Sequence, residues 1–189
     1  MCILWLGPKR PPIHDYLKSL GEEILYYDEV MRIDSLQLKS AEFIVSYGYR
    51  HIIKKDILTL FHRKIINLHI SYLPWNRGAD PNLWSILEDT PKGVTIHYVD
   101  EGLDTGDIIV QKEIQLDIND TLRTSYERLS REIEDLFISN WINIKSNNII
   151  GIPQKFDYGS IHYSKDKKPY EQLLYQGWDT PIVDIIGKK

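Results

Sequence analysis

The sequence predicts an α/β protein with a Rossmann-like, mainly parallel twisted sheet that carries helices on both faces. Two observations lead to this fold class. Short apolar runs alternate with helical patterns along the first two thirds of the chain, which is typical of parallel strands joined by helices. The 189 residues are 42% hydrophobic, which is enough apolar side chain for one well-packed core.

The first third of the chain supplies three strands and three helices. The apolar run Cys2–Leu6 predicts a buried strand that ends at Gly7, and Pro11 and Pro12 suit the first turn of a helix that runs to Leu20. Further strands are expected at residues 24–27 and 43–45, and further helices at residues 35–40 and 54–61.

The next strand alternates apolar and polar side chains, as a half-buried strand does. Asn67, His69 and Ser71 share its polar face. A packed sheet tolerates such a face only near a strand end, where the face opens into a crevice. We therefore expect these three side chains to project into a site.

A loop and two more strands follow. Asp80 is expected to cap a short helix that starts at Pro81 and ends at Leu87. Strands are expected from Gly93 and from Ile108, separated by the acidic loop DEGLDTGD at residues 100–107. Residues 47–50, 67–71 and 99–104 all follow predicted strands, so we expect them to meet at the carboxyl edge of the sheet.

The clearest helix of the sequence begins after residues 119–120, which are expected to cap it. Its apolar residues recur at three- and four-residue steps and predict a face packed on the sheet. From Gly151 the composition changes to glycine, tyrosine and lysine, which predicts an irregular tail with one helical turn at residues 170–175. We therefore expect a domain of residues 1–150 that holds the site. Residues 151–189 would form a tail that packs on this domain or on a partner subunit.

Composition argues against several classes of function. The net charge is −4, and the short cluster at residues 165–168 is the largest basic patch, so nucleic-acid binding is not expected. Cys2 is the single cysteine, which excludes an internal disulfide and a CxxC metal site. The first apolar run is too short for a signal peptide, and no stretch is long enough to span a membrane. These features predict a cytoplasmic protein without membrane contact.

The polar residues suit acyl transfer without a nucleophile from the protein. The imidazole of His69, with an ordinary pKa of about 6.5, can move a proton at neutral pH. The amide of Asn67 can donate to an oxygen that gains negative charge. One of the carboxylates Asp100, Asp104 and Asp107 can orient the imidazole. From the residues alone, polar capping of a sheet edge and a metal site of His69, His97 and Asp104 stay open as alternatives.

Two ordered motifs indicate a family. The patterns N-L-H-x-S-x-L-P-x-x-x-G and G-V-T-I-H-x-V-D-x-G-L-D-T-G-D-I-I resemble the folate-dependent formyltransferases that act on methionyl-tRNA, glycinamide ribonucleotide or nucleotide sugars. The resemblance implies catalytic roles for Asn67, His69 and Asp104 and no metal. Asn67 would donate to the formyl oxygen, His69 would take the proton of the attacking amine, and Asp104 would orient the imidazole. His97 is interpreted as a structural residue, offset from the loop.

The resemblance implies 10-formyltetrahydrofolate as the formyl donor. Its pterin would bind mainly to backbone groups in two loops, where Gly48 and Gly102 would permit close approach. Tyr49 would pack on an aromatic ring of the folate or on the core. The expected folate-binding residues are Tyr47, Gly48, Tyr49, Arg50, Val99, Gly102 and Leu103.

The segment R-G-A-D-P-N looks most like the family members that formylate nucleotide-linked amino sugars. The resemblance therefore implies a dTDP- or GDP-linked amino-deoxy sugar as acceptor, used for surface polysaccharide such as lipopolysaccharide O-antigen. Arg77 would pair with the diphosphate or form a surface salt bridge. The expected acceptor-binding residues are Ser71, Arg77, Gly78, Ala79, Asp80 and Pro81.

Other functions within and outside the family stay open. A glycinamide ribonucleotide acceptor is disfavoured because Gly7-Pro8 replaces a glycine-rich phosphate loop. A methionyl-tRNA acceptor is disfavoured because such enzymes carry a second domain, whereas this chain stops soon after the motifs. A degenerate module that binds folate or a nucleotide sugar without turnover is the alternative from another class. A homodimer is the expected assembly, and His14, His51, His62 and His162 are expected at the surface.

Overall fold

A six-stranded sheet with the strand order β2-β1-β3-β4-β6-β7 forms the centre of the computed structural model, which describes residues 1–189. The strands are β1 (Cys2–Leu6), β2 (Glu23–Tyr27), β3 (Phe43–Ser46), β4 (Ile65–His69), β5 (Arg77–Gly78), β6 (Gly93–Tyr98), β7 (Ile108–Glu113) and β8 (Ile161–His162). The helices are α1 (Pro11–Ser19), α2 (Leu36–Ser40), α3 (Lys55–Leu60), α4 (Pro81–Leu87) and α5 (Leu122–Lys145). The predicted fold class is confirmed.

The sheet has a parallel half and an antiparallel half. Strands β2, β1, β3 and β4 run parallel, whereas β6 runs antiparallel to β4 and to β7. The chain between β4 and β6 contains the two-residue strand β5, which lies outside this sheet, and the seven-residue helix α4, about 10 Å long at 1.5 Å per residue. It does not return the chain to the opposite end of the sheet, so β6 starts beside the end of β4.

This reversal corrects one expectation about the site. Because His69 pairs with Thr95 and Ile66 pairs with Tyr98, residues 99–104 leave the sheet beside the beginning of β4. The sequence predicted that these residues would start at the carboxyl edge of the parallel strands, and this prediction is wrong. The loop must fold back over the face of the sheet to reach His69.

Helices cover both faces of the sheet. A cluster of 20 buried residues joins α1 and α5 to one face, and it includes Leu129, Ile133, Phe137 and Trp141 of α5. A second cluster joins α2 and α3 to the other face. The predicted apolar stripe of α5 is therefore confirmed as core.

The two predicted helix caps have different outcomes: the predicted cap of α5 at residues 119–120 is wrong, whereas Asp80 does occupy the N-cap position of α4 before Pro81. The α5 helix is capped by Thr121, whose hydroxyl accepts from the backbone N–H of Thr124 at 3.2 Å, while the Thr124 hydroxyl accepts from the backbone N–H of Thr121. The Asp120 carboxylate instead accepts from Thr124 and pairs with Arg128. Asp80 makes no cap hydrogen bond, because its left-handed backbone turns its carboxylate towards Lys167, 2.9 Å away.

The tail is more ordered than the sequence predicts. Its strand β8 pairs with β5, and Ile182 and Ile185 pack with α4 in a third apolar cluster. The helical turn expected at residues 170–175 corresponds to a 3-10 helix at Lys168–Leu173, and two shorter ones lie at Gly177–Asp179 and Ile182–Asp184.

Two histidines expected at the surface are buried. His14 is 3% exposed between Trp5 and Tyr26, and burial lowers its pKa to about 4. His162 is 4% exposed and stacks on Trp84 at 4.0 Å. Both are structural residues held by aromatic neighbours. Trp84 itself lies in the core.

No helix of this chain combines the length and the apolar character needed to cross a membrane.

Packing of α5 on the sheet should dominate stability. Replacing Leu129, which is fully buried, with alanine should lower the free energy of unfolding by about 2–5 kcal/mol, because the substitution leaves a cavity. The same substitution at Leu36, which is 76% exposed in α2, should change it by less than about 1 kcal/mol. Urea unfolding of both variants measures the difference. Equal losses would contradict the assignment of α5 to the core.

Candidate active site

Strand β4 presents two polar side chains on the face that α3 covers. Ile65 begins this face and packs into the second apolar cluster. Asn67 and His69 follow on the same face, because side chains two apart in a strand share a face. His69 is 6% exposed, and Asn67 is half-buried. The polar pair therefore lies where the apolar cluster ends.

Asp104 meets this pair from the returning loop. Its Oδ1 accepts from Asn67 Nδ2 at 3.2 Å, and its Oδ2 lies 3.6 Å from His69 Nδ1. Oδ2 also accepts from the backbone N–H of Gly78 at 2.8 Å. The three residues that the motifs indicated are therefore brought into one cluster.

The loop that carries Asp104 is closed by its own residues and by the tail. A side chain at Gly102 would collide with Thr105, and one at Gly106 would collide with the carbonyl oxygen of Tyr98. Gln154 of the tail donates to the carbonyl oxygens of Asp104 and Gly106 at 2.9 and 2.8 Å. Gly102 thus allows Thr105 to pack closely within the loop. Gln154 holds the loop from the tail, a role that the sequence did not predict.

His97 also belongs to this cluster, although the sequence analysis set it apart. It pairs with Asn67 across β4 and β6, so both side chains lie on one face. Its Nε2 is 3.5 Å from Asp104 Oδ1 and 3.3 Å from Asn67 Nδ2. The alternation of Thr95 and His97 was visible in the sequence, but only antiparallel pairing brings His97 to Asn67.

The contacts of His69 define its tautomer. Its Nε2 is 3.1 Å from the backbone carbonyl oxygen of Asn76, and a carbonyl oxygen only accepts hydrogen bonds. Nε2 therefore carries hydrogen, and the lone pair of the neutral ring is on Nδ1. This nitrogen faces Asp104, so the free base of the imidazole is directed to the centre of the cluster.

Burial and charge act in opposite directions on the imidazole and the carboxylate. Burial lowers the pKa of His69, and the repulsion of His97 adds to this, while Asp104 opposes it. Burial would raise the pKa of Asp104, but the imidazoles of His69 and His97 and the N–H of Gly78 together hold it below its usual value. At neutral pH the cluster therefore contains a neutral His69 beside an ionised Asp104.

The residues expected to bind the acceptor lie in three different environments. Ser71 is buried, and its hydroxyl donates to the carbonyl oxygen of Trp75, so it closes a turn. Arg77 forms no salt bridge, and its guanidinium stacks on Phe156 at 4.7 Å. Gly78 reaches the cluster through its N–H to Asp104.

The other three residues expected to bind the acceptor substrate lie between Gly78 and the first turn of α4. Ala79 donates its N–H to the carbonyl oxygen of His162 at 2.9 Å. Asp80 pairs with Lys167, and Pro81 begins α4. The segment is thus held by the tail.

The expected folate-binding loops lie on the same face as the cluster. Tyr49 and Val99 both pack against the second apolar cluster. Gly48 has a left-handed backbone with φ of 72°, while Arg50, Gly102 and Leu103 are exposed. These backbone groups are accessible to a ligand.

Two expected side-chain roles in these loops do not fit. The Tyr47 ring is 3% exposed and packs under Arg10 on the opposite face of the sheet. The Tyr49 hydroxyl donates to the carbonyl oxygen of Glu29 at 2.6 Å and accepts from the N–H of Met31, so it ties down the loop before α2. Only their backbone atoms face the site.

The cluster has the geometry of hydrogen bonds and ion pairs. Its nitrogen–oxygen distances are between 2.8 and 3.6 Å. No group of three or more histidine, cysteine, aspartate or glutamate side chains is arranged to hold a metal ion.

Comparison with known proteins gives the same family as the motifs. A family model described as formyl transferase matches residues 15–140. The methionyl-tRNA formyltransferase of Halothermothrix orenii is 35% identical over 164 residues, which are 84% of this chain and 52% of that protein. The chain spans about half the length of the curated relatives it matches.

Solved structures extend the comparison over the whole chain. The formyltransferase PseJ from Anoxybacillus kamchatkensis, in complex with UDP-4,6-dideoxy-4-formamido-L-AltNAc and tetrahydrofolate, is 55% identical with a TM-score of 0.96. The match covers 100% of this chain and 99% of that one. The N-formyltransferase from Helicobacter canadensis, in complex with folinic acid and dTDP-3-aminofucose, has a TM-score of 0.76 at 22% identity. It covers 99% of this chain and 79% of that one, and at this identity the likeness concerns the fold alone.

The family model covers more than half of the chain, and the chain belongs to the formyl transferase family. The resemblance found in the motifs is confirmed.

The opposing effects of burial and of Asp104 on the pKa of His69 can be measured directly. Replacing Asp104 with asparagine should lower the pKa of His69 further, because the substitution removes the negative charge that stabilises the imidazolium. A pH titration of the imidazole by NMR measures both values, and the wild-type value should itself lie below about 6.5.

Asp100→Asn is the matched control. Asp100 lies in the same loop, where its carboxylate accepts from Gly102 and Thr105. This substitution should leave the titration of His69 close to that of the wild type. An unchanged or raised pKa in Asp104→Asn would contradict the arrangement.

Proposed function

We propose that this protein transfers a formyl group from 10-formyltetrahydrofolate to the amine of a nucleotide-linked amino-deoxy sugar. The observation that carries the proposal is the buried cluster of Asn67, His69 and Asp104, with the free lone pair of His69 directed into it. The 55% identity with PseJ over the full chain supports the choice of substrates.

The chemistry needs an oxygen to be stabilised and a proton to be moved. When bound, 10-formyltetrahydrofolate supplies the formyl carbon, to which the acceptor nitrogen forms a new bond as the bond to the folate nitrogen breaks. Asn67 donates an N–H to the formyl oxygen as this oxygen gains negative charge. His69 accepts the proton of the amine on Nδ1 and returns it to the departing folate nitrogen.

Asp104 supports both of these roles. Its carboxylate lies beside Nδ1 of His69, so it stabilises the imidazolium while the proton is held there. Its hydrogen bond to Asn67 orients the amide. Both N–H groups of this amide have partners, Asp104 at 3.2 Å and His97 at 3.3 Å. The N–H directed at His97 is the proposed donor to the formyl oxygen, while the other N–H stays bonded to Asp104.

The folate is proposed to bind to backbone groups of residues 47–50 and 99–103. The left-handed backbone of Gly48 and the exposure of Gly102 and Leu103 leave peptide groups available on the face that holds His69. Tyr47 and Tyr49 contribute only through their backbone, because both side chains have partners elsewhere.

The acceptor is proposed to be a UDP-linked 4-amino-4,6-dideoxy sugar. The sequence led us to expect a dTDP- or GDP-linked sugar, but PseJ is in complex with a UDP-linked 4-formamido sugar. Residues 77–81 connect the cluster to α4 and are the proposed acceptor segment, with Gly78 nearest to the reacting atoms. Use of the product in surface polysaccharide stays a prediction.

The domain division and the assembly are parts of the same proposal. Residues 1–150 would form the catalytic domain and residues 151–189 a tail that completes it. Tyr175, Trp178 and Val183 of the tail are 61%, 53% and 49% exposed, and they are the proposed contact surface of a homodimer. We propose that the enzyme acts in the cytoplasm, without nucleic acid as a partner.

Formyl transfer can be tested with a small panel of acceptors. The wild type should release tetrahydrofolate from 10-formyltetrahydrofolate with a UDP-4-amino-4,6-dideoxy sugar and yield a product that is heavier by one formyl group. His69→Ala should lower kcat by about 100-fold or more while folate binding, followed by calorimetry, is retained. The second-order rate constant kcat/KM should rise between pH 5 and pH 8, because both His69 and the acceptor amine must be neutral.

The other acceptors in the panel are dTDP- and GDP-linked amino sugars, glycinamide ribonucleotide and charged initiator tRNA. Reaction with glycinamide ribonucleotide or tRNA alone would refute the proposed acceptor and leave the catalytic cluster standing. Tight folate binding without any turnover would favour a binding module.

A further inference from the structure

The half-buried hydroxyl of Ser160, in the C-terminal tail, is hydrogen-bonded to Asn76, whose carbonyl oxygen lies against His69. We propose that Ser160 is a positioning residue for formyl transfer, because it holds the backbone carbonyl of Asn76 that determines which ring nitrogen of His69 carries hydrogen. This inference rests on the proposed function, and it gives the tail a role in catalysis.

Asn76 is held in place by its backbone and by its side chain. It is fully buried and has a left-handed backbone with φ of 57°, a conformation that asparagine adopts at lower cost than most residues. Its Nδ2 donates to the Thr90 hydroxyl at 2.8 Å. The carbonyl of Asn76 therefore points to His69 because the residue is anchored on the side away from the ring.

Ser160 supplies the other anchors. Its hydroxyl accepts from the backbone N–H of Asn76 at 3.0 Å and donates to Asn76 Oδ1 at 3.1 Å. One hydroxyl from the tail thus bonds Asn76 twice, across 84 positions of sequence. Removing it leaves a buried N–H and a buried amide oxygen without these partners, which is unfavourable for groups shielded from water.

The same stretch of chain also holds Asp104, the residue on the other side of the imidazole. Gly78, two residues after Asn76, donates its N–H to the Asp104 oxygen that faces His69 Nδ1. Its strand β5 is paired with β8 of the tail. Both neighbours of the imidazole, the carbonyl of Asn76 and the carboxylate of Asp104, are therefore held by a segment that the tail supports.

These two neighbours favour opposite tautomers. The carbonyl of Asn76 favours hydrogen on Nε2, while the carboxylate of Asp104 favours hydrogen on Nδ1. His97 is the other titratable side chain near the ring, with ring centroids 6.2 Å apart. If the carbonyl of Asn76 is released, Asp104 should draw the hydrogen to Nδ1. The nitrogen that must accept the proton of the amine is then no longer a free base.

The test removes the hydroxyl of Ser160 without disturbing the pairing of strands β5 and β8. In Ser160→Ala the backbone bonds from Arg77 to Ser160 and from Ala79 to His162 are retained, so β5 and β8 should stay paired. We expect kcat to fall about 10-fold with both KM values within about two-fold of the wild type, since misplacing a catalytic base affects the chemical step more than binding. Ser160→Thr keeps a hydroxyl and should restore most of the rate.

The tautomer provides a readout that a purely structural role would not change. With 15N-labelled histidine, NMR should show hydrogen on Nε2 of His69 in the wild type and a larger fraction on Nδ1 in Ser160→Ala. The signal of His69 is assigned by its absence from His69→Ala. Ser164→Ala, at an exposed position of the same tail, is the matched control and should match the wild type in rate and tautomer.

Each outcome decides the inference. Hydrogen on Nδ1 of His69 in the wild type, or an unchanged tautomer and rate in Ser160→Ala, would overturn it. A lower rate with an unchanged tautomer would assign Ser160 a structural role only and would also overturn it. If Ser160→Ala does not fold, Thr90→Val removes the hydroxyl partner of Asn76 Nδ2 at nearly constant shape and should shift the tautomer in the same direction.

The experiments distinguish loss of the positioning role of Ser160 from loss of the proposed formyl transfer. If the wild type transfers no formyl group to any acceptor, the proposed function fails, but the NMR comparison still tests the link between Ser160 and His69. If transfer is normal in Ser160→Ala, the proposed function stands and the positioning role falls.

Discussion

The buried carboxylate of Asp104 is the constraint on which the rest of the site depends. A carboxylate that is mostly removed from water is costly unless it is paired and hydrogen-bonded. Here it is surrounded by the amide of Asn67, the imidazoles of His69 and His97, and the N–H of Gly78. These partners come from the three strands β4, β5 and β6, and Asp104 itself lies in the loop before β7. The carboxylate can therefore be stabilised only when the antiparallel half of the sheet and this loop are both formed.

This constraint explains features of the fold that first look unrelated. The short helix α4 makes β6 return beside β4, which brings His97 to Asn67. The glycines of the acidic loop let residues 99–107 fold back over the face of the sheet. The tail then fixes both sides of the site, through Gln154 on the loop and through β8 on the segment that contains Gly78. Catalytic geometry in this chain is therefore a property of long-range contacts.

Much of this was predictable from sequence, and the remainder has identifiable causes. The alternation of apolar runs with helical patterns predicted the fold class, the polar alternation around Asn67 and His69 predicted the central strand, and the two family motifs indicated the three residues that meet. Local patterns do not specify strand direction, so the antiparallel course of β6 and the place of His97 were missed. The hydrogen bonds of Ser160 to Asn76 and of Gln154 to Asp104 join residues 84 and 50 positions apart, respectively, and no local pattern signals such pairs.

A crystal structure with tetrahydrofolate and the formylated UDP-sugar tests the central claim most directly. The account predicts that the formamide oxygen lies within hydrogen-bond distance of Asn67 Nδ2, that the formamide nitrogen lies beside His69 Nδ1, and that the folate contacts the backbone of residues 47–50 and 99–103. Ligands bound on the opposite face of the sheet, around Arg10 and α5, or a folate nitrogen far from His69, would contradict it.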